Sequence, residues 1–184
     1  MARMGYHHGD LKAVILEQAA TLVAERGADG ISLRELARAA GVSHAAPAHH
    51  FTDRRGLFTA LATEGFRLLT DALTEARPQF IDAAKAYVRF ALDHPGHYEV
   101  MFDKSLYDDT DAELVAASTA AGAELNRGVG TLADPKAKAD PANSALAAWS
   151  LVHGFVQLWL NGAIDTTGDP VETVARLGQI LFDG

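Results

Sequence analysis

The chain has 184 residues, 48% apolar and 22% charged, which suits one or two small domains with a sizeable buried core. It has no cysteine, which excludes disulfides and thiolate chemistry and fits an expected cytoplasmic location. The net charge of −8 is uneven: residues 1–60 carry +1 and residues 61–184 carry −9, so an anionic partner is to be sought in the first third.

Strand-forming residues are sparse and no stretch alternates apolar and polar for long, so the expected fold class is all-α. The N-terminus lacks the apolar core of a signal peptide. The first helix is predicted over about His8 to Arg26, with Leu11, Val14, Ile15, Ala19, Leu22 and Val23 on one face and Gly27 ending it. Ser32 and Glu35 form an expected capping box for a second helix whose apolar face is Leu33, Leu36, Ala37 and Ala40. Gly41 stops that helix and Val42 packs into the bend. Ser43 is read as the N-cap of a third helix from about His44 to His50, with Pro47 tolerated in or just after its first turn and Phe51 as an apolar plug. Two short helices joined by a tight glycine turn are the arrangement that lays its second helix in the major groove of DNA.

A fourth helix is predicted from near Asp53 to about Ala76, and a fifth opens at Pro78 and stops before Pro95. An aromatic-rich piece follows over His97 to Leu106, then a helix over Asp111 to Leu132 and a loop over Asp134 to Pro141. The stretch Ala142 to Ile164 is long and apolar, but Asn143, Ser144, Ser150, His153, Gln157 and Asn161 interrupt it and no basic cluster flanks it, so it is read as a buried helix with no membrane role. The last helix starts at Pro170 behind Asp169, with Val171, Val174, Leu177 and Leu181 inside. A helix apolar on nearly every side, as Ala142 to Asn161 is, needs cover all round, and a second copy of the chain is the economical source.

The run Ser32, Gly41, Val42, Ser43, His49, His50, Phe51, Arg54, Leu57 and Phe58 resembles the TetR family of transcriptional regulators over residues 8 to 60. The chain departs from the family at Ala48, where an aromatic residue is usual. Trp149, Val152, His153 and Gly154 resemble a Trp…His-Gly signature of one subset of the family's C-terminal domains. The resemblance implies a helix-turn-helix DNA-binding domain over residues 1–54 and a helical effector-binding and dimerisation domain over residues 55–184. It implies a homodimer in which the last two helices pair with their copies, and therefore two recognition helices on a pseudo-palindromic double-stranded DNA operator. The DNA-facing residues expected are Ser32, Arg34, Ser43, His44, Ala45, Ala46, Ala48, His49, His50, Arg54 and Arg55, with Arg3, Lys12 and Arg38 as further cations and Tyr6, His7 and His8 as a terminal arm. The interface residues expected are Leu151, Phe155, Leu158, Trp159, Val174, Leu177 and Leu181. An unknown small-molecule effector is expected against Phe80, Tyr87, Phe90, Tyr98, Phe102, Tyr107, Trp149 and His153, although aromatics at helical spacing are equally the makings of an ordinary core.

No metal or cofactor is expected. His7 and His8, and His49 and His50, are adjacent in sequence and on a helix point about 100° apart, so neither pair is placed to chelate one ion. Without cysteine or a serine in a nucleophile elbow, the chain is not expected to be an enzyme. Two other readings stay open at this level. One is an activator or architectural DNA binder with no effector; the other is a helical enzyme or interaction module carrying a helix-turn-helix-like segment.

Overall fold

The computed structural model describes residues 8–76, 79–164 and 167–182, with side chains from Leu11 onward. The described residues are all-helical: α1 His8–Arg26, a single 3₁₀ turn Ala28–Gly30, α2 Leu33–Ala39, α3 Ala46–Phe51, α4 Arg54–Glu75, α5 Phe80–Asp93, α6 Pro95–Met101, α7 Ala112–Val129, α8 Pro135–Ala139, α9 Pro141–Leu160 and α10 Pro170–Phe182. Pro78, expected to open the fifth helix, lies outside the described residues, as do Arg3, Tyr6 and His7; His8 and Asp10 are described as backbone only. No helix among the described residues is long and apolar enough to cross a membrane.

The chain divides into two compact units, residues 1–65 with 94–116, and residues 66–93 with 117–184. In the first unit the apolar face of α1 is consumed as its spacing demands: Ile15, Ala19, Leu22 and Val23 are buried, with Leu36 and Ala37 of α2 and Leu57, Phe58, Leu61 and Ala62 of α4. The unit takes in α6 because that short helix lies against α1 so closely that Gly96 faces the Ala20 carbonyl with no room for a side chain. On α4, Gly65 likewise faces the Met101 side chain, and His97 Nε2 meets Glu64 Oε2 at 2.9 Å.

In the second unit α5 and α10 form the most extensive pairing, and α9 packs on both. Val88 and Ala91 of α5, Val152 and Val156 of α9 and Val171 and Val174 of α10 fill the space between them. Phe80 and Phe182 meet edge to face at 4.9 Å, and Lys85 Nζ donates to Glu172 Oε1 at 2.9 Å. Residues 134–141 are not one loop. Asp134 accepts from the Lys136 amide, Pro135 occupies a first-turn position and α8 forms; Asp140 then accepts from the Asn143 amide and starts α9. Two Asp-Pro starts in succession explain why two prolines here open helices rather than prevent them.

Candidate nucleic-acid interface and effector-domain core

The turn between α2 and α3 is built from its ends inward. Ser32 is extended and its hydroxyl accepts from the Glu35 amide at 3.2 Å, the first half of the expected capping box. The Glu35 carboxylate is taken by the Arg26 guanidinium at 3.2 Å. At the other end the Val42 amide reaches back to the Ala37 carbonyl and the Gly41 amide to the Arg38 carbonyl. That pair of bonds is the Schellman closure, and it holds Gly41 at φ 67, where any Cβ is strained.

Helix α3 begins later than expected. It runs Ala46–Phe51, behind an N-cap at Ala45 that makes no side-chain cap bond, so Ser43 is not the cap. The physical reason is Pro47. A helix capped at Ser43 needs the residue 47 amide to donate to the Ser43 carbonyl, and proline has no N–H. The Ala46 amide meets that carbonyl instead at 3.0 Å, one residue early, and the first full helical bond is His49 to Ala45. His44 and Ala45 therefore stand in the turn ahead of the helix.

From this scaffold Ser43, His44, Ala45, Ala48 and His49 are exposed, and Ala46 and His50 are half-buried. Pro47 and Phe51 turn inward. Behind α3, Thr52 sits at φ 64, ψ −59 and the Asp53 amide reaches the Phe51 carbonyl at 2.7 Å. This is a γ-turn on a β-branched residue, a strain of about 1–3 kcal/mol that fixes the angle between α3 and α4. Asp53 then caps α4 by accepting from the Gly56 amide at 2.8 Å.

The cations expected at phosphates separate into two kinds. Arg34, Arg38 and Arg55 are exposed, and Ser32, Arg34, Glu35, Arg38 and His44 line one open depression of about 400 Å³. Arg54 is half-buried and engaged: its Nη2 donates to the Ala28 carbonyl at 2.9 Å, its Nε to the Ile31 carbonyl at 3.1 Å, and it stacks on the Phe58 ring. Arg54 therefore ties α4 to the segment entering α2. Arg55 Nη2 stands 3.9 Å from the Asp108 carboxylate, a contact too long and exposed to immobilise it. Lys12 is exposed beside the Phe51 ring.

The residues expected around an effector do not form one group. Tyr98, Phe102 and Tyr107 belong to the first unit, where Tyr98 and Phe102 pack edge to face and the Tyr107 hydroxyl donates to the Met101 carbonyl at 3.0 Å. Burial, and then the nearby Asp109 and Asp103, push the Tyr107 phenol above its ordinary range. Phe80, Tyr87, Phe90, Trp149 and His153 belong to the second unit. There Phe80 lines an indentation of about 240 Å³ with Ile81, Leu132 and Phe182, while Phe90 is buried. Tyr87 Oη and His153 Nδ1 are 3.1 Å apart, and the Trp149 ring lies 5.8 Å from His153. Burial holds the His153 imidazole below its ordinary range. Its folded-state pKa is thus lower than its unfolded value near 6.5, so the neutral ring contributes stability in full above that pH and the contribution is lost as pH falls. The thermal-melting difference between wild type and His153→Gln is expected to shrink, or change sign, as the buffer goes from pH 8 to pH 5; a pH-independent difference counts against a buried neutral imidazole.

Among the expected interface residues, Phe155 and Val174 are buried within their own unit and are corrected to core, because α5, α9 and α10 close over them. Leu151, Trp159 and Leu177 are half-buried, and Leu158 and Leu181 are exposed. The exposed apolar set on α9 and α10 also includes Leu146, Trp149, Leu160 and Ile180, the last 83% exposed. Ile180 lies off the Val174–Leu177–Leu181 stripe, so helical spacing alone does not mark it.

Comparison with known proteins matches residues 15–61 to the model for bacterial regulatory proteins of the tetR family, and residues 80–180 to the tetracyclin repressor-like C-terminal domain. The HTH-type transcriptional repressor AcnR of Corynebacterium glutamicum is 34% identical over 87 residues, which is 47% of this chain and 43% of AcnR. The chain thus spans less than half the length of that relative. A protein of unknown function from Rhodococcus sp. RHA1 superposes with a TM-score of 0.76 at 37% identity, covering 98% of this chain and 97% of the other. AibR, solved in complex with isovaleryl coenzyme A and operator DNA, shares the fold at a TM-score of 0.67 and 22% identity, covering 94% of this chain and 98% of AibR.

Proposed function

The chain belongs to the TetR family of transcriptional regulators, and from that membership we propose that it is a repressor that binds a pseudo-palindromic operator as a homodimer and leaves it when a small-molecule effector binds. The observation that carries the proposal is the exposure of His44, Ala45, Ala48 and His49 beyond a turn closed on Gly41. Apart from His44, His49 and the half-buried His50, the outward-facing residues of the recognition segment are small, so base reading rests on imidazoles and on alanine methyls against thymine. Ser32, Ser43, Arg34 and Arg55 are assigned to phosphates, which position the protein without reading sequence. Arg54 is assigned to the architecture behind them. Repression as the sign of regulation follows the AcnR repressor.

DNA reading is assigned to residues 1–54, and effector binding and dimerisation to residues 55–184. Leu158, Ile180 and Leu181, with Leu146, Trp149 and Leu160 beside them, are the surface proposed to meet a second copy, because side chains of this size gain about 1.5–3 kcal/mol each when fully covered. The effector is assigned to the second unit, on the side that holds the Tyr87–His153 hydrogen bond, whose two polar groups sit among apolar helices. It releases DNA only by binding the non-operator arrangement of the dimer more tightly than the operator arrangement.

The test is selection of bound sequences from a random DNA pool at physiological salt. Wild type is expected to enrich a palindrome. A Leu158→Glu, Ile180→Glu double variant is expected to become monomeric and to lose roughly 10²–10⁴-fold in apparent operator affinity, because the second half-site is no longer reached at high effective concentration. No enrichment by wild type, or a double variant that stays dimeric on sedimentation, defeats the corresponding part of the proposal.

A further inference from the structure

We propose that Glu99, outside the residues assigned to DNA reading, is a positioning residue for the recognition helix, acting through the Ala28 amide. The inference rests on the reading that the chain binds an operator. Ala28 stands between Gly27, at φ 77, and the N-cap of α2, in the one segment that joins the supporting helix α1 to the helix-turn-helix. Both of its polar backbone groups are held by side chains from elsewhere in the same compact unit. Glu99 Oε1 of α6 accepts from the Ala28 amide at 2.7 Å, and Arg54 Nη2 of α4 donates to the Ala28 carbonyl at 2.9 Å. The Ala28 side chain is buried, as is Ile31, whose carbonyl accepts from Arg54 Nε. A three-residue 3₁₀ turn has little stability of its own. With an anion on its amide and a cation on its carbonyl, this turn becomes a fixed strut ending at Ser32.

The carboxylate of Glu99 is well placed for this work. Its helix cannot drift, because Gly96 is seated on the Ala20 carbonyl and His97 is buried against Glu64. Its acceptor oxygen is fixed at charge-assisted length to a donor the turn leaves free, which makes the bond directional rather than merely attractive. Loss of Glu99 frees the Ala28 amide and lets the entry to α2 sample other directions. Only the fraction of molecules with α2 and α3 correctly angled then binds, and apparent affinity falls by that fraction.

The experiment uses the full chain and the palindrome selected by wild type, titrated at 20 °C with the active fraction counted. Glu99→Ala is expected to bind about tenfold more weakly, with its salt dependence unchanged, since no phosphate contact is removed. Glu99→Gln keeps an acceptor oxygen and is expected within about twofold of wild type, with the Ala28 amide still protected from exchange. Glu99→Asp, one methylene short, is expected between the two and decides the matter if the alanine variant fails to fold. Wild-type affinity in both Glu99→Ala and Glu99→Asp overturns the proposal. So does tighter binding by Glu99→Ala and Glu99→Gln alike, which assigns the carboxylate a simple repulsion of phosphates. A reduced active fraction whose remaining molecules bind like wild type reduces Glu99 to a stability role. Failure of wild type to select any sequence is a separate result that removes the operator reading itself.

Discussion

Replacing Gly96 by alanine is expected to lower the melting temperature by about 10 °C and to take operator binding down with it. A Cβ at this position lies 2.0 Å from the Ala20 carbonyl oxygen, 2.8 Å from its carbon and 3.1 Å from the Ala20 Cα. All three are backbone atoms of α1, so no rotamer change relieves the contact; α6 and α1 must separate by about an ångström. Exchanging glycine for alanine inside a helix normally gains up to about 1 kcal/mol. Overpacking against a rigid neighbour costs about 1–3 kcal/mol, occasionally more, and these are backbone contacts far inside van der Waals range. The clash therefore wins, by about 2–4 kcal/mol, and each kcal/mol moves the midpoint by about 2–4 °C in a chain of this size. The control is Gly122→Ala on α7, where a Cβ meets nothing within 4 Å and the propensity gain stands alone. Gly122→Ala is expected to melt at or slightly above wild type. Calorimetry of the two variants settles the sign: a Gly96→Ala protein that melts with the wild type means α6 does not lie on α1 at this distance.

Gly96 marks the boundary of what the sequence makes legible. Helix ends announce themselves locally, so Ser32, Gly41, Asp169 and Pro170 are found where their capping chemistry puts them. The third helix is legible in kind but displaced at its start, because Pro47 has no N–H to donate to the Ser43 carbonyl and so cannot lie in a helix capped at Ser43. Helix α8 has an Asp-Pro start that can be read directly, but five residues are too few to show periodicity. Close approaches such as Gly96 on Ala20 have no local signal at all, since nothing near Gly96 says that another helix passes there.

The candidate site divides in the same way. That the segment Ser32 to Phe51 presents histidines outward follows from its own pattern. Arg54 and Arg55 are neighbours of one chemical type, and the sequence treats them alike. The structure separates them because the first turn of α4 aims Arg54 at the carbonyls of Ala28 and Ile31 while Arg55 faces outward. Glu99 reaches Ala28 across 71 positions and Tyr87 reaches His153 across 66, and neither partnership leaves a trace in spacing. The interface residues show a third case. Phe155 and Leu158 look equivalent on an apolar helix, yet α5 and α10 cover the first and leave the second exposed.

Alanine at positions 44, 49 and 50 together is expected to reduce operator discrimination by roughly 10²–10³-fold while leaving non-specific binding at low salt close to wild type. Ala45, Ala46 and Ala48 have no hydrogen-bonding side chains, and Pro47 and Phe51 face the core. Base-edge hydrogen bonds from α3 and its leading turn must then come from imidazoles, each worth about 1–3 kcal/mol of discrimination where it is well placed. The three do not contribute equally. His44 and His49 are exposed, whereas His50 is half-buried with its ring 5.5 Å from His49 and 6.2 Å from Phe51. Successive residues point about 100° apart, so His49 and His50 do not read the same base. His49→Ala is expected to relax preference at one position of each half-site, and His50→Ala to act partly by loosening α3 against Phe51. Arg34→Ala is the contrast, since loss of a phosphate contact weakens all sequences alike and reduces the salt slope by about one. Selection from a random pool, repeated with each variant, separates these effects. A triple variant that enriches the wild-type palindrome at wild-type affinity would falsify histidine readout and move base recognition to the arginines of α2.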